Sequence, residues 1–234
     1  MKKLGIIGGL GPMATAHFLT LITRMSEAKK DQDHIEIILH SRPVIPDRSA
    51  YITGASDLNP EPDLIEIGQS LVTMGAEILA IPCFTAHYFI DAIRNATGIP
   101  IIDAIDEVTS YLSEAKIKKV GIHATDGVVY GRLYQDKLEN AGITTLIPNA
   151  EAQKQIVEII YKIKSGQAVD FEDIHTIALD FFAAGAELIL LGCSDLSILG
   201  SKQPKYQNYL DVLEILARRA VIECGKLRKE YIEL

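Results

Sequence analysis

The chain reads Gly75-Ala-Glu-Ile-Leu-Ala-Ile-Pro-Cys83, and 110 positions later it reads Gly185-Ala-Glu-Leu-Ile-Leu-Leu-Gly-Cys193. Each copy begins with a glycine, continues as an apolar run and ends in a cysteine. Continuous apolar runs of this kind are typical of buried parallel strands, and one matched pair of them is common by chance. The pattern predicts a buried strand in each half of the chain, with a cysteine at its end.

Two further pairs of segments repeat in the same order. Lys2-Lys-Leu-Gly-Ile-Ile-Gly8 matches Lys118-Lys-Val-Gly-Ile-His-Ala124 at an offset of 116, and Ile102-Asp103 matches Leu210-Asp211 at an offset of 108. Three ordered anchors with similar offsets indicate a duplicated half. A site at the interface between two such halves would receive one thiol from each side.

Composition and charge exclude several classes of protein. The 234 residues are 48% hydrophobic and 23% charged, as in ordinary globular proteins, and they suffice for one large domain or two lobes. A net charge of −8 without a basic stripe argues against nucleic-acid binding. No apolar run reaches the roughly 18 residues of a membrane span, and no secretory signal follows Lys2-Lys3. We expect a cytoplasmic protein.

Strand-like and helix-like segments alternate along the whole chain. Apolar runs predict strands at residues 4–7, 35–39, 77–82, 99–102, 120–123 and 188–191. Apolar residues at helical spacing predict helices from residue 12, over 64–74, over 130–138, over 156–163, over 171–182 and from residue 211 onward. Such alternation is typical of parallel sheets joined by right-handed crossovers.

The predicted fold class is α/β, with two pseudo-symmetric lobes that are each a mostly parallel sheet with helices on both faces. We place the N-terminal lobe at residues 1–102 and the C-terminal lobe at 103–210, and we expect the helix at 211–230 to pack on the N-terminal lobe. Ligands of open α/β sheets bind beyond the carboxyl ends of the strands. Residues at or just after predicted strand ends are Gly8, Gly9, Arg48, Cys83, Thr125 and Cys193. They predict one active site in the cleft between the lobes.

The cysteines favour acid–base chemistry over disulfides or metal binding. The chain has three cysteines, no CxxC pair and no zinc spacing, and Cys224 in a helical pattern is interpreted as a core residue. An ordinary thiol, with a pKa of about 8.5, is only slightly ionised at neutral pH. The residues after Cys83 and Cys193 could start helices, whose N-termini would lower the thiol pKa. One thiolate could then remove a proton from a bound carbon while the other thiol supplies one, without metal or pyridoxal cofactor.

Five groups of motifs carry a resemblance to a known family. They are Gly8-Gly-Leu-Gly-Pro-Met-Ala-Thr15, Ile45-Pro-Asp-Arg48, Ile81-Pro-Cys-Phe-Thr-Ala-His87, Glu151-Ala-Gln-Lys154 with Tyr161-Lys-Ile-Lys-Ser-Gly166, and Leu191-Gly-Cys-Ser-Asp195. On these motifs the chain resembles the aspartate/glutamate/hydantoin racemase superfamily over essentially its whole length. It is most similar to the cofactor-independent aspartate racemases.

The resemblance implies a racemase of aspartate or a related acidic amino acid, acting without a cofactor and as a homodimer. It implies that Cys83 and Cys193 are the two acid–base residues and that Thr85 receives the α-carboxylate. Arg48 and Lys164 would supply positive charge for the distal carboxylate, a group that a bidentate guanidinium suits. The predicted substrate-binding set is Gly9, Arg48, Phe84, Thr85, Thr125, Lys164 and Ser194.

Two motifs depart from the family pattern. Where relatives commonly have Cys-Asn-Thr, this chain has Phe84 after the first cysteine, so an amide is replaced by an aromatic ring. Losing a hydrogen bond to a charged group costs about 1.5–3 kcal/mol, so substrate preference or turnover is expected to shift. Where relatives commonly have Cys-Thr-Glu, Ser194 and Asp195 keep a hydroxyl and a charge. His87 could favour a Cys83 thiolate if protonated, but a capping or packing role is the preferred interpretation.

Three other functions compete with racemisation. Gly9-Leu-Gly-Pro-Met-Ala14 fits a dinucleotide-binding motif, but Leu39-His-Ser41 lacks the acid that such sites use to hold ribose. A lyase or isomerase of the same superfamily would need only one of the two cysteines. An inactive relative that binds an acidic amino acid is the third alternative, and Phe84 is the residue that favours it.

Overall fold

Two parallel sheets form the framework of the molecule. The computed structural model describes residues 1–199 and 207–232. The strands there are β1 Leu4–Gly8, β2 Ile37–Ser41, β3 Ile78–Ala80, β4 Lys119–His123, β5 Thr144–Leu146, β6 Leu188–Leu191 and β7 Tyr209–Asp211. The first sheet has the order β2-β1-β3 and the second the order β5-β4-β6-β7, with every pairing parallel. The predicted α/β class is confirmed.

Helices connect the strands and cover the sheets. They are α1 Pro12–Met25, α2 Arg48–Ile52, α3 Glu61–Thr73, α4 Ile90–Thr97, α5 Ala104–Glu114, α6 Asp126–Tyr130, α7 Leu133–Asn140, α8 Ala150–Lys164, α9 Phe171–Ala183 and α10 Val212–Cys224. Short 3₁₀ helices lie at Asp31–Asp33, Phe84–Phe89, Leu196–Leu199 and Lys229–Tyr231. The crossovers place the carboxyl ends of β1, β3, β4 and β6 where a ligand of such a fold would bind.

The repeated stretches form the same local structure in both halves. Gly75 and Gly185 have φ values of 99° and 86°, a left-handed conformation that glycine adopts without strain and that ends α3 and α9. The glutamate two residues later accepts hydrogen bonds from the backbone at the start of the neighbouring strand, as Glu187 does from Lys118 N and Lys119 N. β3 and β6 are then buried, except for partial exposure of Leu188.

Aspartates begin α5 and α10 in the same way. The Asp103 side chain accepts hydrogen bonds from the N–H groups of Ile105 and Asp106. The Asp211 side chain accepts them from Leu213 and Glu214. These contacts satisfy N–H groups that have no partner within the helix.

One apolar core extends through both halves of the chain. It combines residues of β1 and α1 with residues of β4, α5, α7 and α10. α10 packs on both α1 and α5, while α5 also contacts α7. The two remaining clusters lie on the other faces of the sheets, one against α3 and α4 and the other against α8 and α9. Because the central core is shared, the boundary between residues 102 and 103 stays a prediction.

Several elements differ from the sequence prediction. Residues 99–102 do not form a strand, but make one bridge between Ile101 and Leu79. The helix predicted over 130–138 is interrupted between α6 and α7, where Arg132 takes a left-handed conformation with φ of 52°. β5 and β7 were not predicted, because neither Thr144–Leu146 nor Tyr209–Asp211 forms a continuous apolar run. The C-terminal helix ends at Cys224, before the predicted end at residue 230.

Membrane-crossing helices are absent from the part of the chain that the structure describes. None of the helices there combines the length and the apolar character that crossing a bilayer requires.

Asp211 should make folding stability depend on pH. Burial raises the pKa of its carboxyl to about 6, above the value of about 3.9 for an unfolded aspartate. The folded chain therefore holds this proton more tightly, and its stabilising effect is lost as pH rises from about 4 to about 6. Asp211→Asn keeps an oxygen acceptor and removes the titration. Measured by urea unfolding, the free energy of unfolding of the variant should rise by about 2–3 kcal/mol relative to that of the wild type between pH 4 and pH 7.

Asp103→Asn is the matched control for this experiment. Burial raises the pKa of Asp103, but the Lys137 ammonium and the hydrogen bond from the Ile105 N–H outweigh it and leave the pKa lowered. Its stabilising effect is therefore present above the unfolded pKa and lost as pH falls. An Asp211→Asn variant whose difference from wild type is the same at both pH values would contradict the assignment.

Candidate active site

A cavity lies between the carboxyl ends of the two sheets. Its lining consists of Leu10, Asp47, Arg48, Ser49, Cys83, Phe84, Thr85, Thr125, Asp126, Val157, Ile160, Tyr161, Lys164, Cys193, Ser194 and Asp195. Both repeated cysteines are in this set, although they are 110 positions apart in the chain. The lining comes from turns that follow strands and from α2, α6 and α8, so both halves of the chain contribute.

Strand ends deliver the two thiols. Cys83 follows β3 and Cys193 follows β6, and both residues are buried, with relative exposures of 5% and 7%. β3 pairs with β1, while β6 pairs with β4. The equivalent place of each strand in its sheet explains why the two cysteines approach one cavity from two sides.

The turn after Cys83 is held by neutral hydrogen bonds. Thr85 Oγ1 lies 2.9 Å from Thr125 Oγ1, which joins this turn to the start of α6. The Ala104 N–H donates to His87 Nε2 at 3.2 Å, so the ring proton sits on Nδ1 and donates to the Cys83 carbonyl at 3.1 Å. Burial lowers the pKa of His87 and keeps the ring neutral. His87 therefore connects the turn to α5, in agreement with the preferred interpretation.

The turn after Cys193 carries a charge instead. Asp195 is 2% exposed, and its Oδ2 lies 2.6 Å from Lys164 Nζ. The Cys193 thiol donates to the same oxygen, with an Sγ–Oδ2 distance of 3.7 Å. Burial is the largest cause that raises the pKa of Cys193, and the Asp195 carboxylate raises it further against the opposing effect of Lys164. The lowered thiol pKa predicted from the sequence is therefore wrong for Cys193.

The reason for that error lies in the local structure. Leu196–Leu199 after Cys193 is a four-residue 3₁₀ helix. So short a helix has little dipole to offset the loss of hydration of a buried thiolate.

Arg48 lies on the wall that α2 forms. Its NH1 donates to the carbonyls of Ile45 and Pro46 at 3.3 and 3.0 Å, which fixes the guanidinium at the start of the helix. Its Nε is buried and has no hydrogen-bond partner among residues 1–199 and 207–232. An unpaired buried N–H is costly, so this donor is suited to an acceptor on a ligand.

The structure brings most of the predicted binding residues together. Arg48, Phe84, Thr85, Thr125, Lys164 and Ser194 all line the cavity. Gly9 lines an adjoining opening, which shares Arg48, Lys164 and Asp195 with the cavity. Cys224 is buried in the central core, and burial raises its pKa to about 11, as suits the structural interpretation.

Several lining residues are absent from the predicted set, among them Asp126, Tyr161 and Val157. Asp126 accepts a hydrogen bond from Gln153 at 2.8 Å, and the Tyr161 hydroxyl donates to Asp47 at 3.5 Å. Val157 lies one helical turn before Tyr161 on α8. Asp126 could have been found from its position just after β4, beside Thr125. Tyr161 and Val157 share the helix of Lys164, at the spacing of one face.

The two walls approach each other closely at Gly127. A Cβ there would lie 2.7 Å from Ser49 Cα and 2.9 Å from Thr85 Cγ2. Only glycine permits this approach between α6, α2 and the Cys83 turn. Within the described parts of the chain, no group of three or more His, Cys, Asp and Glu side chains could hold a metal ion.

Known sequences include relatives that cover half of this chain or more. A model of the Asp/Glu/hydantoin racemase family matches residues 7–220. The chain is 24% identical over 204 residues to the broad specificity amino-acid racemase RacX of Bacillus subtilis, covering 83% of this chain and 86% of that protein. It is 32% identical over 124 residues to a protein of Pectobacterium carotovorum described as uncharacterized, covering 52% of this chain and 83% of that protein.

Comparisons with solved structures agree with the fold. The aspartate racemase of Picrophilus torridus superposes with a TM-score of 0.87 at 27% identity, covering 99% of this chain and 98% of that one. An aspartate racemase homologue from Pyrococcus horikoshii superposes with a TM-score of 0.74 at 26% identity, covering 95% and 98%.

Removing the Lys164 ammonium should lower the stability of the folded chain. Lys164→Met leaves the buried Asp195 carboxylate without its cation, and a buried charge that loses its partner is costly. The Lys164 side chain is 28% exposed, and solvent reduces the effect. We therefore expect the free energy of unfolding, measured in urea, to fall by about 1–3 kcal/mol. Lys162→Met, on an exposed face of the same helix, should lose less than about 0.5 kcal/mol. Equal losses in the two variants would show that the ion pair adds no stability.

Proposed function

The chain belongs to the Asp/Glu/hydantoin racemase family, and on that premise we propose that it racemises aspartate or a related acidic amino acid without a cofactor, using Cys83 and Cys193 as its two acid–base residues. One observation carries the proposal: the two thiols of a duplicated fold line a single cavity. Its solved relatives with the same fold include an aspartate racemase. A homodimer is part of the same proposal and rests on the resemblance alone.

The proposed reaction consists of two proton transfers at one carbon. One thiolate takes the proton from Cα, so the C–H bond breaks, an S–H bond forms and the electron pair stays on the carbon. Conjugation with the α-carboxylate stabilises that pair. The second thiol then gives its proton to the opposite face and becomes the thiolate, which inverts the stereocentre. The return reaction uses the same groups with their roles exchanged.

Hydroxyl groups in the cavity suit the α-carboxylate of the substrate. Thr85 and Thr125 point their hydroxyls at each other over 2.9 Å, and Ser194 lies beside Cys193 on the opposite turn. A carboxylate accepts hydrogen bonds from hydroxyls, and hydrogen bonds to a charged acceptor are stronger than neutral ones. The proposal therefore places the α-carboxylate between these turns.

The distal carboxylate would meet the two cations of the cavity. Arg48 offers a buried Nε that has no partner in the part of the chain that the structure describes, and Lys164 offers the ammonium that pairs with Asp195. A guanidinium is a geometrically specific partner for a carboxylate. These two groups are the basis for proposing an acidic side chain.

The apolar part of the lining supports a second candidate, a racemase with a wider substrate range. Phe84 replaces the usual amide of the family and is only 1% exposed, and Leu10, Val157 and Ile160 also line the cavity. The similar RacX protein is described as a broad specificity amino-acid racemase. Apolar walls would favour uncharged side chains at a small cost in selectivity.

Deuterium exchange tests the two-base proposal. In D₂O with L-aspartate, the wild-type protein should incorporate deuterium at Cα and form the D-isomer. Cys83→Ser and Cys193→Ser should each lower the racemisation rate by a factor of about 10²–10⁴, because each removes one of the proton-transferring groups. Chiral chromatography measures the D-isomer and mass spectrometry measures the deuterium.

Cys224→Ser is the control, because Cys224 lies in the core away from the cavity. It should racemise at the wild-type rate. A single-cysteine lyase or isomerase would instead be inactivated by only one of the two cavity variants. Wild-type rates in both Cys83→Ser and Cys193→Ser would end the two-base proposal.

Charge removal at Arg48 tests the substrate class. Arg48→Gln should raise the KM for aspartate about ten- to a hundredfold, the equivalent of a hydrogen bond to a charged group. KM values for alanine and leucine should change less than threefold. Arg48→Lys keeps the charge and should fall between wild type and Arg48→Gln. Arg42→Gln is the control, because Arg42 pairs with Asp63 and Glu66.

The outcome separates the two candidates. Equal KM changes for acidic and apolar amino acids in Arg48→Gln would remove the basis for an acidic substrate. Wild-type turnover of leucine or alanine faster than that of aspartate would favour the wider substrate range.

A further inference from the structure

The two thiol-bearing turns differ two residues after the cysteine. The duplication makes Cys83-Phe84-Thr85 and Cys193-Ser194-Asp195 equivalent segments. On the first turn, the Thr85 hydroxyl bonds to the Thr125 hydroxyl. On the second turn, a carboxylate occupies the matching position. The pseudo-symmetry of the fold therefore does not extend to the charge beside each sulfur.

The Asp195 carboxylate contacts the sulfur and a cation through one oxygen. Oδ2 accepts the Cys193 thiol at 3.7 Å and lies 2.6 Å from Lys164 Nζ. On its other side, Oδ1 lies against the backbone of Gly11, where an added Cβ would come within 3.1 Å. Asp195 thus lies between Gly11, α8 and the Cys193 sulfur.

The other titratable groups around Cys193 come from three elements. Lys164 of α8 favours the thiolate, whereas Cys83 across the cavity disfavours it. Tyr134 of α7 is fully buried, its ring packs against the position of Gly192, and its hydroxyl has no hydrogen-bond partner among the described residues. A neutral phenol adds no charge at neutral pH. Burial and the Asp195 carboxylate therefore favour the thiol form of Cys193, whereas Lys164 favours the thiolate form.

We propose that Asp195 is a positioning residue that makes the two thiols unequal: its carboxylate accepts the Cys193 S–H and holds Cys193 as the proton donor of the empty cavity, so that Cys83 acts as the base. The proposal rests on the proposed function, because the donor and acceptor roles have meaning only if both thiols act on one carbon. The contact of the buried Asp195 carboxylate with the Cys193 sulfur carries it, because the matching position after Cys83 holds the neutral hydroxyl of Thr85.

The inequality gives the proton transfers a defined starting state. In that state Cys83 is the thiolate and Cys193 the thiol, so Cys83 removes the Cα proton and Cys193 donates its own to the opposite face. Afterwards the proton is on Cys83 and the negative charge on Cys193, next to the Asp195 carboxylate. Exchange with solvent water then returns one proton to Cys193 and removes one from Cys83. Lys164 limits the repulsion while the charge is on Cys193.

Cysteine-selective NMR tests this proposal without substrate. The chain has three cysteines, so protein labelled with ¹³C at cysteine Cβ gives three signals whose shifts report thiol or thiolate. Cysteine-to-serine variants assign the signals. In the wild-type protein, the Cys83 signal should titrate at lower pH than the Cys193 signal. In Asp195→Asn, the Cys193 midpoint should fall by at least one pH unit, because the carboxylate is gone and Lys164 remains.

Two further variants keep the result interpretable. Asp126→Asn removes another carboxylate of the same cavity, one that bonds to Gln153, and should leave the Cys193 midpoint within about 0.3 pH units of wild type. Asp195→Glu keeps a carboxylate and should hold Cys193 as the thiol. If Asp195→Asn does not fold, the order of the two midpoints in wild type and Asp195→Glu still decides.

The results that would overturn the proposal are distinct from a failure of the proposed function. A Cys193 midpoint at or below that of Cys83 in wild type, or an unchanged Cys193 midpoint in folded Asp195→Asn, would sink it. Absence of racemisation with the predicted order of midpoints would instead refute the proposed function and leave the unequal thiols in place.

Discussion

Both thiols occupy their places because a buried parallel strand ends just before each of them. β3 hydrogen-bonds to β1 and β6 to β4, so each cysteine emerges at the carboxyl edge of its sheet beside the loop that follows the first strand of that half. The backbone N–H and C=O groups of such buried strands must be hydrogen-bonded. This pairing fixes the register of each strand, and with it the position at which the residue after the strand leaves the sheet. The position of the cavity between the halves follows from this constraint, because the turns that follow these strands form part of its lining.

The turns after the strands are secured by contacts four residues beyond each cysteine. His87 joins the first turn to the N-terminus of α5, and Ser197 Oγ donates to Asp211 at the N-terminus of α10 over 2.6 Å. α10 packs on α1 and α5, and α5 contacts α7. The helices that hold the turns are therefore the same helices that join the halves into a common core. Positions of the sulfur atoms are linked by these contacts to the packing of the whole molecule.

The two sides of the cavity have similar backbone structure but different charges. On one side, neutral hydroxyls and a neutral imidazole surround the turn of Cys83. On the other side, a buried carboxylate and an ammonium share the neighbourhood of Cys193. Burying such a pair is expensive unless it has good geometry, and the contact of its carboxylate with the Cys193 sulfur is the basis of the proposed role of Asp195 in proton placement. A duplicated fold thus contains two thiols with different surroundings.

The sequence by itself determined the α/β class, the duplication, the strand ends with their cysteines and the family resemblance, because these depend on apolar periodicity and on residues close together in the chain. Short elements escaped it: Thr144–Leu146 has no apolar run, and the break at Arg132 depends on a local backbone conformation. Only the tertiary structure decided that Thr85 meets Thr125, 40 residues away, and that Lys164 from α8 neutralises Asp195. Only it reversed the direction of the Cys193 pKa, because desolvation depends on what surrounds the sulfur in three dimensions, and local sequence does not specify that.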